Sequence, residues 1–315
     1  MRRFRYRIGI FSLATLLGAC NAGTATNLPA NAPSWVNSPR QAHNADTSLV
    51  YVPNFAGSNV TVYNLDGKLA LTITAGISLP WGVAVDKNGK IYVTNSFPSS
   101  GGYVSSYTPD GKQTTPTIRD GIVFPLDVAV DNSGKIYVSN LNDYSGTGYI
   151  ATYRPNGTQT KPTITAGIAG PVGLAVDSSG KIYVANAYNN TVTTYEPDGT
   201  QTTPTITKGL DEPCGIAVDA NGKIYVANQS GGPHNTGSVA TFMPNGEQTT
   251  PTITAGTERA IGVAVDATGN IYVGNYQGPG NKGGFGSVMT YTADGKRTTP
   301  TITRAIAEPT LITLH

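Results

Sequence analysis

From residue 49 onward the chain alternates short apolar runs with Gly, Asp, Asn and Pro. The unit is plainest at 82–95, GVAVDKNGKIYVTN. Val83-Ala84-Val85, bounded by Gly82 and Asp86, predicts a strand, a. Asp86-Lys87-Asn88-Gly89 predicts a tight turn, in which Asp bonds its own backbone and Gly tolerates positive φ. Lys90 to Val93, β-branched and aromatic, predicts strand b. A Gly-rich loop follows, then strand c, YVSSY (103–107), an Asp110-Gly111 turn, and strand d, QTTPTI (113–118). The opening half returns as DVAVDNSGKIYVSN (127–140), GLAVDSSGKIYVAN (173–186), GIAVDANGKIYVAN (215–228) and GVAVDATGNIYVGN (262–275). The turn aspartates stand at 86, 131, 177, 219 and 266, so the spacings are 45, 46, 42 and 47. Strand c repeats one ring: Tyr63, Tyr107, Tyr153, Tyr195, Phe242 and Tyr291. Strands c and d are joined each time by Asp-Gly or Asn-Gly, a strong hairpin signal.

Four antiparallel strands in about 45 residues make one blade of a β-propeller. The ends complete the count. VYVPN (50–54) matches strand b, NVTVY (59–63) matches c, and the stretch after Asp66-Gly67 matches d. This partial blade lacks strand a. Pro309 to His315 aligns with Pro80 to Asp86 and supplies it. The expectation is an all-β, six-bladed β-propeller over 49–315, its ring closed by N- and C-terminal segments that share one blade.

GVAVDKNGKIYVTN and GIAVDANGKIYVAN resemble NHL repeats and the related YVTN-type propeller repeats, and the resemblance covers roughly 49–315. It implies the fold and leaves the activity open, because NHL-like propellers include enzymes, protein-binding modules and RNA binders. One departure is regular. Many NHL repeats carry aspartate after YVA, whereas this chain has Asn54, Asn95, Asn140, Asn186, Asn228 and Asn275. A feature present in every blade serves the blade, so these amides are expected to tie down the loop after strand b.

The first 48 residues follow another logic. Arg2, Arg3, Arg5 and Arg7 precede a short run, Ile8 to Ala19, too short for the ~20 residues of a membrane span. This reads as an export signal, 1–19. Leu17-Gly18-Ala19-Cys20 matches the bacterial lipobox, which implies lipidation of Cys20 and anchoring by several acyl chains. Asn21 is not the aspartate associated with inner-membrane retention, so an outer membrane is expected. Residues 20–48, with Pro29, Pro33 and Pro39, read as the lipidated cysteine and a flexible tether. Without 1–19 the balance is 17 basic against 19 acidic residues, which gives no basic patch and no nucleic-acid partner. Charged residues are only 13% of the chain. Lipidation would consume Cys20 and leave Cys214 alone, a small buried apolar residue by expectation.

The resemblance also invites comparison with the six-bladed gluconolactonase and regucalcin group, which holds calcium or zinc at the channel mouth with Glu, Asn and Asp near the start of strand a. The matching positions after the opening Pro are Trp81, Leu126, Val172, Cys214, Ile261 and Thr310. One position further, Asp127 alone offers a carboxylate. One carboxylate does not make a hard-cation site, so no metal or cofactor is implied. A virginiamycin-lyase-like set finds no match either, and the three histidines fit neither a triad nor zinc spacing.

Loop lengths between the post-b Asn and strand c point to a working face. They are 4 residues in the split blade, 7 in blade one, 8 in blade two, 4 in blade three, 9 in blade four and 11 in blade five. The two short loops fall opposite each other, which predicts a groove. Its floor would run over Phe55, Tyr188, Asn189 and Asn190, and its walls would carry Phe97, Tyr144, His234, Asn235, Tyr276 and Phe285. Aromatics with Asn and Gly suit a sugar ring or an extended peptide. The reading is a lipid-anchored envelope propeller that binds a protein or glycan without chemistry. The alternative is a lactonase-like or lyase-like enzyme.

Overall fold

The computed structural model describes residues 48–97, 101–142, 146–232, 236–277 and 285–315. Cys20, with the signal and tether segments, lies outside the described residues, as do Tyr144, His234 and Asn235. The split blade holds β1 (Leu49–Asn54), β2 (Asn59–Asn64) and β3 (Leu69–Ile73). Blade one holds β4 (Pro80–Val85), β5 (Ile91–Phe97), β6 (Gly101–Tyr107) and β7 (Gln113–Ile118), and blade two β8 (Phe124–Val130), β9 (Ile136–Leu141), β10 (Gly148–Tyr153) and β11 (Gln159–Ile164). Blade three is β12 (Pro171–Val176), β13 (Ile182–Asn186), β14 (Thr191–Tyr195) and β15 (Gln201–Ile206). Blade four is β16 (Pro213–Val218), β17 (Ile224–Asn228), β18 (Ser238–Phe242) and β19 (Gln248–Ile253). Blade five is β20 (Ala260–Val265), β21 (Ile271–Asn275), β22 (Ser287–Tyr291) and β23 (Arg297–Ile302), and β24 (Thr313–Leu314) ends the chain.

The strands form six antiparallel four-stranded sheets, and the split sheet runs β24-β1-β2-β3. Thr313 pairs with Tyr51 and Leu314 with Val50, the register that Ala84 and Val85 keep with Tyr92 and Ile91 in blade one. Isolated bridges join Asn54 to Pro309 and Gly82 to Leu311. The molecule is the expected six-bladed propeller, closed by its own ends.

The core lies between blades, where strands b and c of one blade pack on the next. Val52, Tyr63, Tyr272 and Ile312 share one such cluster across the closure, and Val60, Ile73, Val83 and Val93 share the next. The ring of strand-c tyrosines adds polar stitching. Tyr107 donates to the Ala75 carbonyl (2.9 Å), Tyr195 to Ala166 (2.7 Å) and Tyr63 to Arg304 (2.6 Å), each in the connection leading out of the preceding blade. The turns behave as their residues require: Asp86 Oδ1 accepts from the Asn88 and Lys90 amides at 2.9 and 3.0 Å. These turns repeat on one face. The b–c loops and d–a connections meet on the other.

Candidate functional site

The d–a connection enters five of the six blades through one repeated device. The residue before strand a adopts left-handed backbone: Leu79 (φ 47°), Gly170 (62°), Glu212 (49°), Arg259 (54°) and Glu308 (52°), whereas Phe124 of blade two is already part of its strand. Its carbonyl accepts from the residue after the strand-b asparagine, as in Ser96 to Leu79 (3.2 Å), Ala187 to Gly170 (3.0 Å) and Gln229 to Glu212 (3.0 Å). The asparagine itself holds the same connection. Asn95 Oδ1 accepts from the Ser78 amide (2.8 Å), and its Nδ2 donates to the Val93 carbonyl (3.1 Å) and Ser105 Oγ (2.9 Å). All six asparagines accept in this way. They therefore serve the blade as expected, but mainly by fixing the strand that arrives before a.

Blades four, five and the split blade put charge on that left-handed position. Ser230 Oγ donates to Glu212 Oε2 at 2.7 Å. Gln229, with its amide oxygen turned toward blade five, accepts from Arg259 Nε at 3.2 Å and from Nη2. The guanidinium lies over the Tyr276 ring, 5.3 Å from its centroid. Tyr276 donates to Glu308 Oε2 at 2.9 Å, and burial, then the Glu308 charge, push its hydroxyl pKa upward. The arc Glu212–Arg259–Glu308 thus runs across three consecutive blades, and all three side chains are half-buried. Asn190 extends it into blade three, accepting the Glu212 amide at 2.8 Å. Beside the arc, on the split blade and blade one, aromatic rings gather: Phe55, whose amide donates to the Glu308 carbonyl (3.2 Å), meets Trp81 edge-on at 5.5 Å, and Phe97 stacks on Tyr103 at 5.9 Å, with the Arg119 guanidinium 4.4 Å from the Tyr103 centroid.

The predicted groove residues thus separate. Phe55 is buried against Trp81, and Phe97 extends the β5–β6 hairpin. Tyr188 lies where a Cβ on Gly146 or Gly170 would stand, so it packs on backbone. Asn189 is exposed and accepts from Thr191 (2.8 Å). Tyr276 joins the charged arc, and Phe285 is 78% exposed. Glu212, Arg259 and Glu308 escaped the sequence reading, which looked one residue after the opening proline and not one before it. The signal was there: Leu, Phe, Gly, Glu, Arg and Glu occupy a position flanked by near-invariant repeats.

The six positions after the strand-opening residue, which is proline in five blades and Ala260 in blade five, are all buried, between 0 and 8% exposed. Strands a close together at the next position. A Cβ on Gly82, Gly173 or Gly262 would strike the neighbouring strand. Below this constriction runs a channel of about 280 Å³, lined by Asp127, Leu174, Ile216, Val263 and Ile312 among others. Both Asp127 oxygens are engaged, Oδ1 by the Val128 amide (2.9 Å) and Oδ2 by the Leu174 amide of blade three (2.8 Å). Burial nevertheless pushes its carboxyl up to about 8. Among the described residues no three His, Cys, Asp or Glu side chains are grouped to hold a metal. The donor set does not fit the divalent ion of the lactonase group. Cys214 is buried, and burial followed by the Glu212 charge pushes its thiol up to about 12, away from thiolate chemistry.

Comparison with known proteins agrees with this architecture. The model of the SMP-30/Gluconolactonase/LRE-like region matches residues 124–261. A chain of the nidogen/laminin complex superposes with a TM-score of 0.66 at 19% identity, covering 85% of this chain and 98% of its own length. A protein of unknown function from Bacteroides caccae gives 0.64 at 15% identity, covering 85% and 99%. No curated protein matches in sequence. The chain is a six-bladed β-propeller of the kind its NHL-like repeats implied, and blades two to four are similar to the SMP-30/Gluconolactonase/LRE-like region.

Proposed function

We propose that this propeller is an envelope binding module, anchored through Cys20, whose b–c loop face grips a protein or glycan without transforming it. The supporting observation is the charged arc. Gly170 performs the same backbone task as Glu212, Arg259 and Glu308 at no steric cost, whereas each non-Gly residue there costs ~1–2 kcal/mol. Three adjacent charged side chains on strained backbone are what a ligand-facing surface tolerates and a purely structural one does not require. The aromatic rings that reach solvent on this face, half-buried Phe97 and exposed Phe285, complement an amphipathic partner.

The test is photo-cross-linking of the full chain in its envelope from a probe at Gln277, beside the arc. Arg259→Ala with Glu308→Ala should abolish the adduct. Asp110→Ala with Asp198→Ala, on the opposite face, should leave it. The reverse outcome places the working surface on the wrong face. A lactonase-like reading rests on the match over 124–261. Turnover of a lactone with calcium or zinc that disappears in Asp127→Asn would replace the binding reading.

A further inference from the structure

Among the described residues, the outermost strand of every blade presents backbone N–H and C=O groups with no further strand beside it, the part of a sheet most open to an added strand. Five of these edges are blunted alike. β7, β11, β15, β19 and β23 read QTTPTI, QTKPTI or RTTPTI, and Pro116, Pro162, Pro204, Pro251 and Pro300 have no N–H to offer. On three of them a lysine also occupies the carbonyl before the proline: Lys90 Nζ on Thr115 (2.6 Å), Lys181 on Thr203 (2.5 Å) and Lys223 on Thr250 (2.9 Å).

β3 has neither device. It reads Leu69-Ala70-Leu71-Thr72-Ile73, with no proline. Leu49 precedes Val50 where Lys90 precedes Ile91, so the lysine is gone as well. Leu71 replaces the proline only in its packing role. It approaches Gly111 of blade one (3.1 Å from a Cβ built there) as Pro116 approaches Gly157 of blade two (2.5 Å). The ladder beneath keeps register over Val60↔Ile73, Thr61↔Thr72 and Val62↔Leu71 and shifts only at its start, where Tyr63 pairs with Leu69 and Ala70 is bulged, whereas β7 loses register in mid-strand between Val104 and Ser106. Leu69 is 44% exposed, and Ala70 and Thr72 are exposed.

We propose that the outer edge of β3 is a strand-addition site for an extended polypeptide segment of about five residues with alternating apolar side chains. Backbone pairing supplies attraction at the register the edge dictates, and Leu69 supplies an apolar contact. A second copy of the chain is a poorer occupant. Five residues give ~17 Å of strand. Two propeller rims meeting along that length bury far less than the ~1,200 Å² of a stable interface. A peptide has no second rim to hold it off. The site lies on the rim and is independent of the face proposed above.

Hydrogen exchange on the full chain tests this, with and without 1 mM of an eight-residue probe of alternating valine and threonine capped by lysines. The amides of 69–73 should slow at least tenfold, and those of the five proline-bearing edges less than twofold. Ala70→Pro should weaken binding of the labelled probe at least tenfold. The same probe N-methylated at alternate residues should bind no better to wild type than to that variant, which keeps the test valid if the variant folds poorly. The proposal is overturned by any of three results: no protection at 69–73, equal protection on all six edges, or undiminished binding of the N-methylated probe. Sedimentation showing a dimer that protects 69–73 without the probe would overturn the choice of occupant.

Discussion

Asp127 gives the sharpest quantitative test, because a carboxyl buried beside the channel couples stability to pH in an unusual direction. Its folded pKa, about 8, lies above the 3.8 of the free side chain. Between those values the folded chain holds a proton that the unfolded chain has released. Stability should therefore be highest below about pH 4 and fall by ~1.4 kcal/mol per pH unit as pH rises through 8. Over roughly four units the loss is ~5 kcal/mol, a large share of a domain's ~5–15 kcal/mol margin. Asp127→Asn removes the ionisation. Its amide oxygen serves one of the Val128 and Leu174 N–H groups, and its NH2 confronts the other, a cost of ~1–3 kcal/mol at every pH. The two stability curves should cross at about pH 4.5 to 6, with the variant the stabler protein at about pH 8.5. Urea midpoints from pH 4.5 to 9 for both proteins, taken as a difference, isolate this group from other titrations. A flat difference, or a wild type that gains on the variant as pH rises, would mean the two amides hold the carboxylate ionised, and the burial argument would fail. Asp127→Gly, which installs the residue found at the matching place in four other blades, should flatten the dependence equally.

Three further outcomes follow from the same contacts. Deleting 309–315 strips β24 and the buried Leu311 and Ile312 from the closure, worth ~1.5–3 kcal/mol per side chain, and should cause unfolding or aggregation on thermal melting. An unchanged melt would show that the ring is not held by its ends. Asn95→Ala leaves the Ser78 amide without its acceptor and should cost ~1–3 kcal/mol in chemical denaturation, while Asn88→Ala in the exposed turn should cost little. Cys20→Ser should release the protein from membranes into the soluble fraction, and a wild-type chain found wholly soluble would end the lipid-anchor reading.

The blade was legible because its determinants are local. Val83-Ala84-Val85, Asp86 with Gly89, and the strand-c tyrosines declare strand, turn and core within a few residues, and six copies in phase leave little freedom. The closure was legible for the same reason, since Pro309 to His315 is a sixth appearance of a familiar strand a. What the sequence did not disclose depends on direction. The position after the strand-opening residue looked like the rim of a channel, but its side chain is buried in all six blades, in blade two without a left-handed residue before the strand. Tyr188 and Tyr276 looked alike as loop aromatics. One packs on two glycines and the other donates to Glu308, and only the fold brings those partners together.

The departures from the repeat are not equivalent, and their compensation separates them. Asp127 replaces a glycine, and both its oxygens meet amides, one of them from the next blade, so a structural bond offsets part of its burial. Leu71 replaces a proline and recovers its packing on Gly111, although the shielding of the edge is lost. Glu212, Arg259 and Glu308 recover nothing that Gly170 lacks on its backbone: the connection is held by the same carbonyl and the same asparagine whichever side chain stands there. Their hydrogen bonds run to Ser230, Gln229 and Tyr276, residues that also vary from blade to blade. A network whose every member departs from the repeat, and which the repeat does not need, is the part of this face that the proposed ligand would read. That places the search for a ligand on blades four, five and the split blade, and makes Arg259, the single cation between two carboxylates, its first side chain to change.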